Sequence, residues 1–256
     1  MIPIGVIFME QKIEKLKEWV EVSQNIVFFG GAGVSTESGI PDFRSEDGLY
    51  SQKFMYSPEV MLSYSFFLSN PEDFYEFYKD KMILKGIEPN DVHLALAKLE
   101  KAGKLKAVIT QNIDGLHQRA GSESVIELHG TVHKNYCMEC RKPYELEFIE
   151  QDGIPKCSCG GIVRPDVVLY EEQLNYDDLS RAVEFISRAD MLIVGGTSLS
   201  VYPAAGLLHY YDGDRLVLIN NSETAYDSSA DLLIQGSIGH ALRSMLSISS
   251  LNDLSQ

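Results

Sequence analysis

Six short, mostly apolar runs recur along the chain, separated by longer stretches of mixed composition. They cover residues 25–29, 107–110, 124–128, 191–194, 216–219 and 231–234. Apolar residues stand at consecutive positions within each run, which is typical of strands buried on both faces. An amphipathic helical pattern at residues 11–23 precedes the first run, and others, such as residues 93–102 and 179–188, lie between the runs. This alternation predicts an α/β fold with a doubly wound parallel sheet.

Two stretches interrupt this alternation. Residues 45–88 are rich in Tyr, Phe and Met, and residues 131–170 contain all four cysteines. We expect both to form a smaller lobe within a single domain of residues 1–256. The large lobe then comprises residues 1–44, 90–130 and 171–256, and the small lobe comprises residues 45–89 and 131–170. Aromatic residues at helical spacing predict a packed core in the first insertion rather than a ligand contact: Phe66, Phe67, Phe74, Phe77 and Tyr78.

The chain is acidic, with 22 Lys and Arg residues against 37 Asp and Glu residues and a formal net charge of −15. This balance argues against nucleic acid or an anionic membrane surface as a partner, because both attract a positive surface. A cationic partner is easier to reconcile with it, although acidity also serves solubility alone.

No transmembrane helix is expected, because polar residues and Pro203 interrupt the most hydrophobic long window, residues 189–208. Residues 1–8 lack the basic residue and the cleavage pattern of a secretory signal, and Met9 is an alternative start. In a chain without an export signal, paired cysteines favour thiolates that are bound to a metal. They also favour a location in the cytoplasm.

The cysteines form two tight pairs, Cys137-x-x-Cys140 and Cys157-x-Cys159, with sixteen residues between the pairs. Four thiolates at such spacing are typical of a closed structural zinc site. The second pair requires a sharp bend, which Gly160-Gly161 permits; otherwise His133 is the nearest substitute ligand. Residues 131–170 carry five basic and six acidic residues, so this segment has no basic surplus for nucleic acid. The metal is expected to stabilise the insertion and to take no part in the chemistry.

A glycine-rich turn, Gly31-Ala32-Gly33-Val34-Ser35, directly follows the first predicted strand. A backbone without Cβ atoms can approach a pyrophosphate and present its N–H groups to it. The dinucleotide fingerprint would need a third glycine where Thr36 stands, and Pro41 prevents a long helix from following at once. We therefore expect a loop, rather than a first helical turn, to close over a cofactor. A purely structural turn remains the alternative.

Other predicted strands also end in small or polar residues. Residues 195–198 and 220–222 follow two of them, residues 111–114 follow a third and His129 a fourth. Ligands of open α/β sheets bind at the carboxyl ends of the strands, so these groups are expected to converge near the glycine-rich turn. An imidazole beside an amide and a carboxylate at that edge predicts a catalytic base, His129. The histidines at positions 93, 117, 133, 209 and 240 are expected to be structural or exposed.

Together these motifs resemble the sirtuin family of NAD-dependent protein deacylases, in its bacterial type. The resemblance rests on residues 31–35, 39–44 and 111–114, on His129-Gly130, on the cysteine pairs and on residues 196–198, in the family's order. It covers nearly the whole chain. It implies a Rossmann-like large lobe, a zinc-bearing and helical small lobe, and a cleft between them where NAD and an acyl-lysine peptide meet.

The resemblance also implies the chemistry and the residues that perform it. The acyl oxygen of the substrate lysine displaces nicotinamide and forms an imidate, and His129 then acts as base through the ribose hydroxyls so that the 2′ oxygen attacks the imidate. Water completes the release of free lysine and O-acyl-ADP-ribose. Asp114 and the Ile113 backbone would hold the nicotinamide amide, Asn112 would orient ribose or a water, and Phe43 would cover the reacting sugar. The catalytic set is His129, Asn112 and Asp114. The cofactor-binding set is Gly31, Ala32, Gly33, Thr36, Phe43, Arg44, Gln111, Asn112, Ile113, Asp114, Gly196, Thr197, Ser198, Asn220 and Ile238.

Residues 164–172 resemble the family's substrate segment, which pairs with the peptide as an added strand. The residues implied in substrate binding are Val168, Leu169, Tyr170 and Glu171, of which Glu171 stands where the family usually has glycine. Members that prefer acidic acyl groups carry a Tyr-x-x-Arg pair, whereas here Tyr50 is followed at that spacing by Lys53. An uncharged acyl group, acetyl or a longer aliphatic one, is therefore expected.

Two other functions stay open on the sequence. The chain could consume NAD as a glycohydrolase or an ADP-ribosyltransferase, because the same bond breaks when water or another nucleophile reaches the sugar. It could also be a catalytically silent NAD-binding or zinc module, which the presence of Asn112, Asp114 and His129 disfavours. The substrate proteins and the oligomeric state do not follow from the sequence.

Overall fold

The computed structural model describes residues 4–45, 48–52 and 54–248. Its helices are α1 (Ile4–Val22), α2 (Pro58–Met61), α3 (Tyr64–Ser69), α4 (Pro71–Lys81), α5 (Asp91–Lys101), α6 (Leu116–Arg119), α7 (Leu146–Ile149), α8 (Tyr176–Arg188) and α9 (Ile238–Ile248). Its strands are β1 (Ile26–Gly30), β2 (Leu105–Thr110), β3 (Val125–Glu127), β4 (Gly130–Cys137), β5 (Pro143–Glu145), β6 (Val163–Val167), β7 (Met191–Gly195), β8 (Leu216–Asn220) and β9 (Leu232–Gln235). Short 3-10 helices occupy Ala32–Val34, Thr36–Ser38, Leu49–Ser51, Ala204–Tyr210 and Asp227–Ser229.

Six strands form one parallel sheet in the order β3-β2-β1-β7-β8-β9. Strands β1, β2 and β3 follow one another toward one edge of the sheet, and β7, β8 and β9 follow one another toward the other edge. The predicted doubly wound sheet is therefore confirmed. The direction reverses between β1 and β7, where Gly30 pairs with Gly195. A crevice opens at such a reversal, at the carboxyl ends of the strands, and this crevice positions the site.

Helices cover both faces of this sheet. On one face, Ile26 and Phe28 of β1 belong to a core shared with α1, α5 and α9. On the other face, Val27 and Phe29 belong to a core shared with α8 and the 3-10 helix Ala204–Tyr210. Successive strand residues point to opposite faces, so an uninterrupted apolar run is what a strand between two cores requires.

The sequence pattern located these elements closely. All six parallel strands are present, and each end lies within two residues of its predicted position. Helix α1 begins at Ile4, before the predicted start at residue 11, because residues 4–10 contain no helix-breaking proline and continue the helix outward. None of the helices in the described parts of the chain is long and apolar enough to span a membrane.

The two insertions pack together beside the large sheet. Strand β4 pairs antiparallel with β5 and β6 in a three-stranded sheet. This sheet shares one apolar core with helices α2, α3, α4 and α7. The prediction that the aromatic residues of the first insertion pack as a core is confirmed, since Phe66, Phe67, Phe74, Phe77 and Tyr78 are all buried. Phe67 and Phe74, for example, meet edge to face with their ring centroids 4.9 Å apart, a preferred aromatic arrangement.

Two histidines lie buried under the glycine-rich turn. The rings of His93 and His117 are 4.7 Å apart, and burial lowers the pKa of His93 to about 4 and that of His117 to about 3. Asn90 connects His93 to the turn, because its Nδ2 donates to the Val34 carbonyl oxygen at 2.8 Å. Both imidazoles are therefore neutral at physiological pH, and their predicted structural role is confirmed. The histidines at positions 133, 209 and 240 are exposed.

Candidate functional site

A cavity of about 630 Å³ opens at the crevice between β1 and β7 and extends to the small lobe. Its walls come from the glycine-rich turn, from the ends of β2, β7 and β8, from the loop after Ile40 and from the chain that follows β6. The cavity brings together nearly all the predicted site residues: Gly31, Ala32, Gly33, Phe43, Arg44, Gln111, Asn112, Ile113, Asp114, His129, Val168, Leu169, Tyr170, Glu171, Gly196, Thr197, Ser198, Asn220 and Ile238.

Thr36 is the predicted cofactor residue that does not line the cavity. Its hydroxyl donates to the Gly33 carbonyl oxygen at 3.0 Å and so closes the turn on itself. One 3-10 helix, Ala32–Val34, lies within the turn, and a second, Thr36–Ser38, follows it in place of a long α-helix. The prediction that no long helix follows the turn at once is confirmed; that this segment closes over a cofactor stays a prediction.

The glycine-rich turn rests directly on the end of β7. The Gly33 N–H donates to the Gly196 carbonyl oxygen at 2.8 Å. A Cβ atom on Gly33 would lie 2.8 Å from Gly196 Cα, and Gly196 has φ +62°, which disfavours any side chain. The two turns therefore meet backbone to backbone, and a ligand phosphate can approach their N–H groups closely.

A hydrogen-bond network fixes the Asn112 and Asp114 side chains. Ser35 Oγ donates to Asp114 Oδ2 at 2.7 Å and accepts a hydrogen bond from Asn112 Nδ2 at 3.0 Å. The Leu116 N–H donates to Asp114 Oδ1 at 2.9 Å. Sequence reasoning missed Ser35 as a functional residue, because serine in a glycine-rich turn is equally suited to a plain turn. The position of Ser35 inside the glycine-rich motif is the sequence feature that could have indicated its role.

His129 is held in one tautomer. Its Nδ1 lies 2.9 Å from the Gln111 carbonyl oxygen. A carbonyl oxygen can only accept, so Nδ1 carries the proton and Nε2 keeps a free lone pair. Burial lowers the pKa of His129 below its usual value, and the hydrogen bond to Gln111 opposes this shift. A half-buried, neutral imidazole with a free Nε2 is suited to act as a general base near neutral pH.

Thr197 and Asn220 shape the other end of the cavity. Gln111 Nε2 donates to Thr197 Oγ1 at 3.0 Å, and the Thr197 N–H donates to Asn220 Oδ1 at 3.1 Å. Asn220 Nδ2 is buried and has no hydrogen-bond partner within the described residues. A buried donor without a partner is costly in free energy, so this amide is ready for an acceptor on a ligand.

The predicted substrate segment runs from the end of β6 along the cavity. The Val168 N–H donates to the His129 carbonyl oxygen at 2.9 Å, which connects this segment to the histidine. Glu171 has φ +76°, a conformation that favours glycine and costs other residues about 1 kcal/mol. Its carboxylate compensates by accepting hydrogen bonds from the Ser65 N–H and Ser65 Oγ, both at 2.9 Å. Glutamate thus adopts here a backbone conformation that glycine adopts more readily.

Helix α4 contributes two further residues that the sequence did not single out for a site. Tyr78 and Lys81 have the spacing of the Tyr50 and Lys53 pair, and both line the cavity; Lys53 lies outside the described residues. The Lys81 ammonium lies 2.9 Å from the Asp80 carboxylate and 5.6 Å from the centre of the Phe54 ring. The ammonium therefore forms an ion pair with the exposed Asp80 carboxylate. The sequence did not indicate Tyr78 as a site residue, because its aromatic side chain belongs both to the core and to the cavity wall.

The four cysteines converge in the small lobe. Their Sγ atoms all lie within 4.8 Å of one another, and none forms a disulfide. Cys137 and Cys159 are 3.5 Å apart, and Cys140 and Cys157 are 3.6 Å apart. Tetrahedral zinc with Zn–S bonds of about 2.3 Å sets its sulfurs about 3.8 Å apart, so the donor set fits zinc.

The sharp bend predicted after the second cysteine pair is present. Gly160 has φ +90°, and a Cβ atom on Gly161 would lie 2.8 Å from Cys137 Sγ. A hydrogen bond from the Cys159 backbone lowers the pKa of Cys157 to about 5, which favours the thiolate that binds metal. His133 is not part of this cluster, because its Nε2 lies 3.0 Å from the Asp114 carbonyl oxygen.

Comparison with known proteins gives consistent matches over almost the full length. A model of the Sir2 family matches residues 31–203. The NAD-dependent protein deacetylase of Clostridium tetani is 64% identical over 234 residues, which cover 90% of this chain and 95% of the relative. A solved structure of Sir2 with a p53 peptide and NAD+ has a TM-score of 0.82 and 41% identity, and covers 92% of this chain and 97% of that chain. A His-to-Ala Sir2 variant with a deacetylated p53 peptide and 3′-O-acetyl ADP ribose has a TM-score of 0.85 and 40% identity, with the same coverage.

Proposed function

The chain belongs to the Sir2 family, and on this premise we propose that it is an NAD-dependent protein-lysine deacetylase, which releases nicotinamide and O-acyl-ADP-ribose. One observation carries the proposal. A continuous cavity joins the glycine-rich turn and Thr197 to His129 and to the Val168–Glu171 segment. A reaction between two bound molecules requires that both reach one catalytic group, and this cavity provides that arrangement.

The cavity fits a dinucleotide in size and in donor set. Ligand sites of this kind commonly measure about 300–1,000 Å³. The close contact of Gly33 with Gly196 leaves backbone exposed for phosphates, and Arg44 can pair with them. The unpartnered Asn220 Nδ2 suits an acceptor of the adenosine half. Thr36 would act indirectly, by closing the turn.

When bound, NAD supplies the ADP-ribosyl group that accepts the acyl group from lysine. The residues of this chain orient that transfer. Asp114, fixed by Ser35 and the Leu116 N–H, would hold the nicotinamide amide together with the Ile113 backbone. Asn112 would orient a ribose hydroxyl or a water, and Phe43 would keep other water away. His129 Nε2 would take the proton of a ribose hydroxyl, as its tautomer allows.

Zinc would bind to Cys137, Cys140, Cys157 and Cys159, one ion in each chain, and would stabilise the small lobe. The lobe division of residues 45–89 and 131–170 against the rest is proposed because the two insertions share one apolar core. The segment Val168–Glu171 would pair with an acyl-lysine peptide as an added strand.

The partners and the location are proposed on charge and thiol chemistry. Acyl-lysine peptides or proteins would be the partners, and neither nucleic acid nor a membrane surface would be one, because the formal net charge is −15. The cytoplasm is proposed because its reducing conditions keep a four-cysteine metal site in the thiolate form.

The function is tested by measuring nicotinamide release from NAD with an acetylated peptide, with the same peptide succinylated, and without peptide. Release with the acetylated peptide is expected to be at least about tenfold faster than with the succinylated one, because burying a carboxylate costs free energy and Lys81, the cation that α4 places in the cavity wall, already pairs with Asp80. Each nicotinamide should be matched by one O-acetyl-ADP-ribose.

The no-peptide arm separates the deacetylase from its rival. A glycohydrolase delivers water to the sugar and needs no peptide. Equal rates of nicotinamide release with and without the acetylated peptide, with no O-acetyl-ADP-ribose formed, would establish the glycohydrolase instead. Equal rates with the acetylated and succinylated peptides would leave the deacylase standing and overturn the preference for an uncharged acyl group.

A further inference from the structure

Two tyrosines far apart in the chain meet at the edge of the cavity. The hydroxyl oxygens of Tyr50 and Tyr170 are 2.7 Å apart, the distance of a good O–H···O hydrogen bond. Tyr170 belongs to the proposed substrate segment, and Tyr50 lies in the 3-10 helix after the Phe43 loop. The bond therefore joins the part of the site proposed to bind peptide with the part proposed to cover NAD.

Tyr170 is anchored but accessible. Its N–H donates to the Leu62 carbonyl oxygen, and its carbonyl oxygen accepts from the Tyr64 N–H, both at 3.0 Å. These bonds hold the main chain of Tyr170 on one side. The residue is still 37% exposed and lines the cavity, so a peptide along this segment would contact it.

Tyr50 is in direct contact with the proposed NAD-covering residues. Its N–H donates to the Phe43 carbonyl oxygen at 2.9 Å. Its ring meets the Phe43 ring edge to face at 5.7 Å, and the Arg44 guanidinium lies 5.4 Å from its centre. Burial, followed by hydrogen bonds to Tyr170 and Glu59, raises the pKa of Tyr50, so its hydroxyl keeps its proton.

We propose that Tyr50 is a positioning residue that couples peptide binding at Tyr170 to NAD binding at Phe43 and Arg44. This inference rests on the proposed function. A peptide that orders Tyr170 also orders Tyr50, and through it the Phe43 ring and the Arg44 guanidinium. Each ligand then binds more tightly in the presence of the other, by the same factor in both directions. One neutral hydrogen bond corresponds to a factor of about 2 to 10.

The coupling factor is measured by titration calorimetry on the full chain. An acetyl-lysine peptide is titrated with and without saturating ADP-ribose, and ADP-ribose is titrated with and without saturating peptide. The unmodified chain is expected to show a factor of about 2 to 10 in both directions. In Tyr50→Phe and in Tyr170→Phe the factor should fall to about 1. The double variant should show no further change, because both substitutions remove the same bond.

Tyr226→Phe is the matched control. It removes an equivalent hydroxyl pair, since Tyr226 Oη lies 3.2 Å from Tyr202 Oη and Tyr226, like Tyr50, does not itself line the cavity. The other partners of its hydroxyl are Ala205 and His209 of the 3-10 helix Ala204–Tyr210, rather than residues of the Phe43 loop. Its coupling factor should equal that of the unmodified chain. A purely structural role of Tyr50 would lower the melting temperature and leave the factor unchanged. Either that result or a coupling factor of 1 in the unmodified chain overturns the proposed role of Tyr50 and leaves the proposed function standing. An unmodified chain that binds neither ADP-ribose nor peptide overturns the proposed function with it.

Discussion

Replacing His129 with alanine is expected to lower kcat/KM for deacetylation of an acetyl-lysine peptide by about 10²- to 10⁴-fold, the usual contribution of a general base. The Gln111 carbonyl oxygen fixes the proton on Nδ1 and leaves Nε2 free to accept one. No other histidine among the described residues lines the cavity, so no second imidazole can take over this role. Deacetylation is measured by mass spectrometry of the peptide.

The same variant should keep two other properties. Affinity for NAD should be largely unchanged, because the glycine-rich turn, Thr197 and Asn220 are untouched. Peptide-dependent exchange of labelled nicotinamide into NAD should also continue, because the proposed role of His129 begins after nicotinamide has left. His240→Ala is the matched control, since His240 is exposed and does not line the cavity, and it should change kcat/KM less than about twofold. Unchanged deacetylation in His129→Ala would remove the assigned base.

The pH profile gives an independent check on His129. The base must be neutral, and burial lowers the pKa of His129 below the usual value of about 6.5. As pH falls, the imidazole therefore stays neutral until below that value. The acid limb of kcat/KM is expected below about pH 6.5, and a limb centred above pH 7 would contradict the assignment.

Replacing Cys140 with serine is expected to remove the zinc from the small lobe and to lower activity by at least about tenfold. Structural zinc sites contribute about 10–16 kcal/mol of binding free energy in small domains, which is available only when the full ligand set is present. Cys137 and Cys157 belong to the same apolar core as Phe67 and Phe74, and β6 continues from this core into the substrate segment. Loss of the metal should therefore lower the melting temperature and loosen the Val168–Glu171 segment.

The measurements for this variant are zinc content by elemental analysis, the melting temperature and the deacetylation rate. Ser158→Ala is the matched control, because Ser158 stands between two cysteines and its hydroxyl lies 3.9 Å from Cys157 Sγ without joining the cluster of four thiols. It should keep its zinc and its activity. A stable, metal-free Cys140→Ser protein with full activity would show that zinc does not support the lobe.

Much of the fold could be predicted because the signals are local. The apolar run at residues 25–29 predicts a strand that is buried on both faces, and the observed β1 differs from this run by one residue at each end. The cysteine spacing likewise predicts a metal site, and the four thiols converge as expected. The carboxyl ends of parallel strands share one edge, which is why Asp114, His129 and Thr197 line one cavity.

The rest depends on contacts between distant parts of the chain. Ser35 is 79 residues from Asp114 in sequence, and only the folded sheet brings the hydroxyl to the carboxylate. Tyr50 and Tyr170, separated by 120 residues, belong to this class as well. The helical spacing of Tyr78 predicts that its side chain is buried. It does not show that the same side chain also lines the cavity, because periodicity indicates burial alone.

A crystal structure of the chain with ADP-ribose and an acetyl-lysine peptide tests the central claim most directly. The account predicts that His129 Nε2 lies within hydrogen-bond distance of a ribose hydroxyl, that Asn112 and Asp114 face the position vacated by nicotinamide, and that the peptide pairs with the Val168–Glu171 segment. Density for ADP-ribose away from the glycine-rich turn, or for a ribose out of reach of His129, would contradict it.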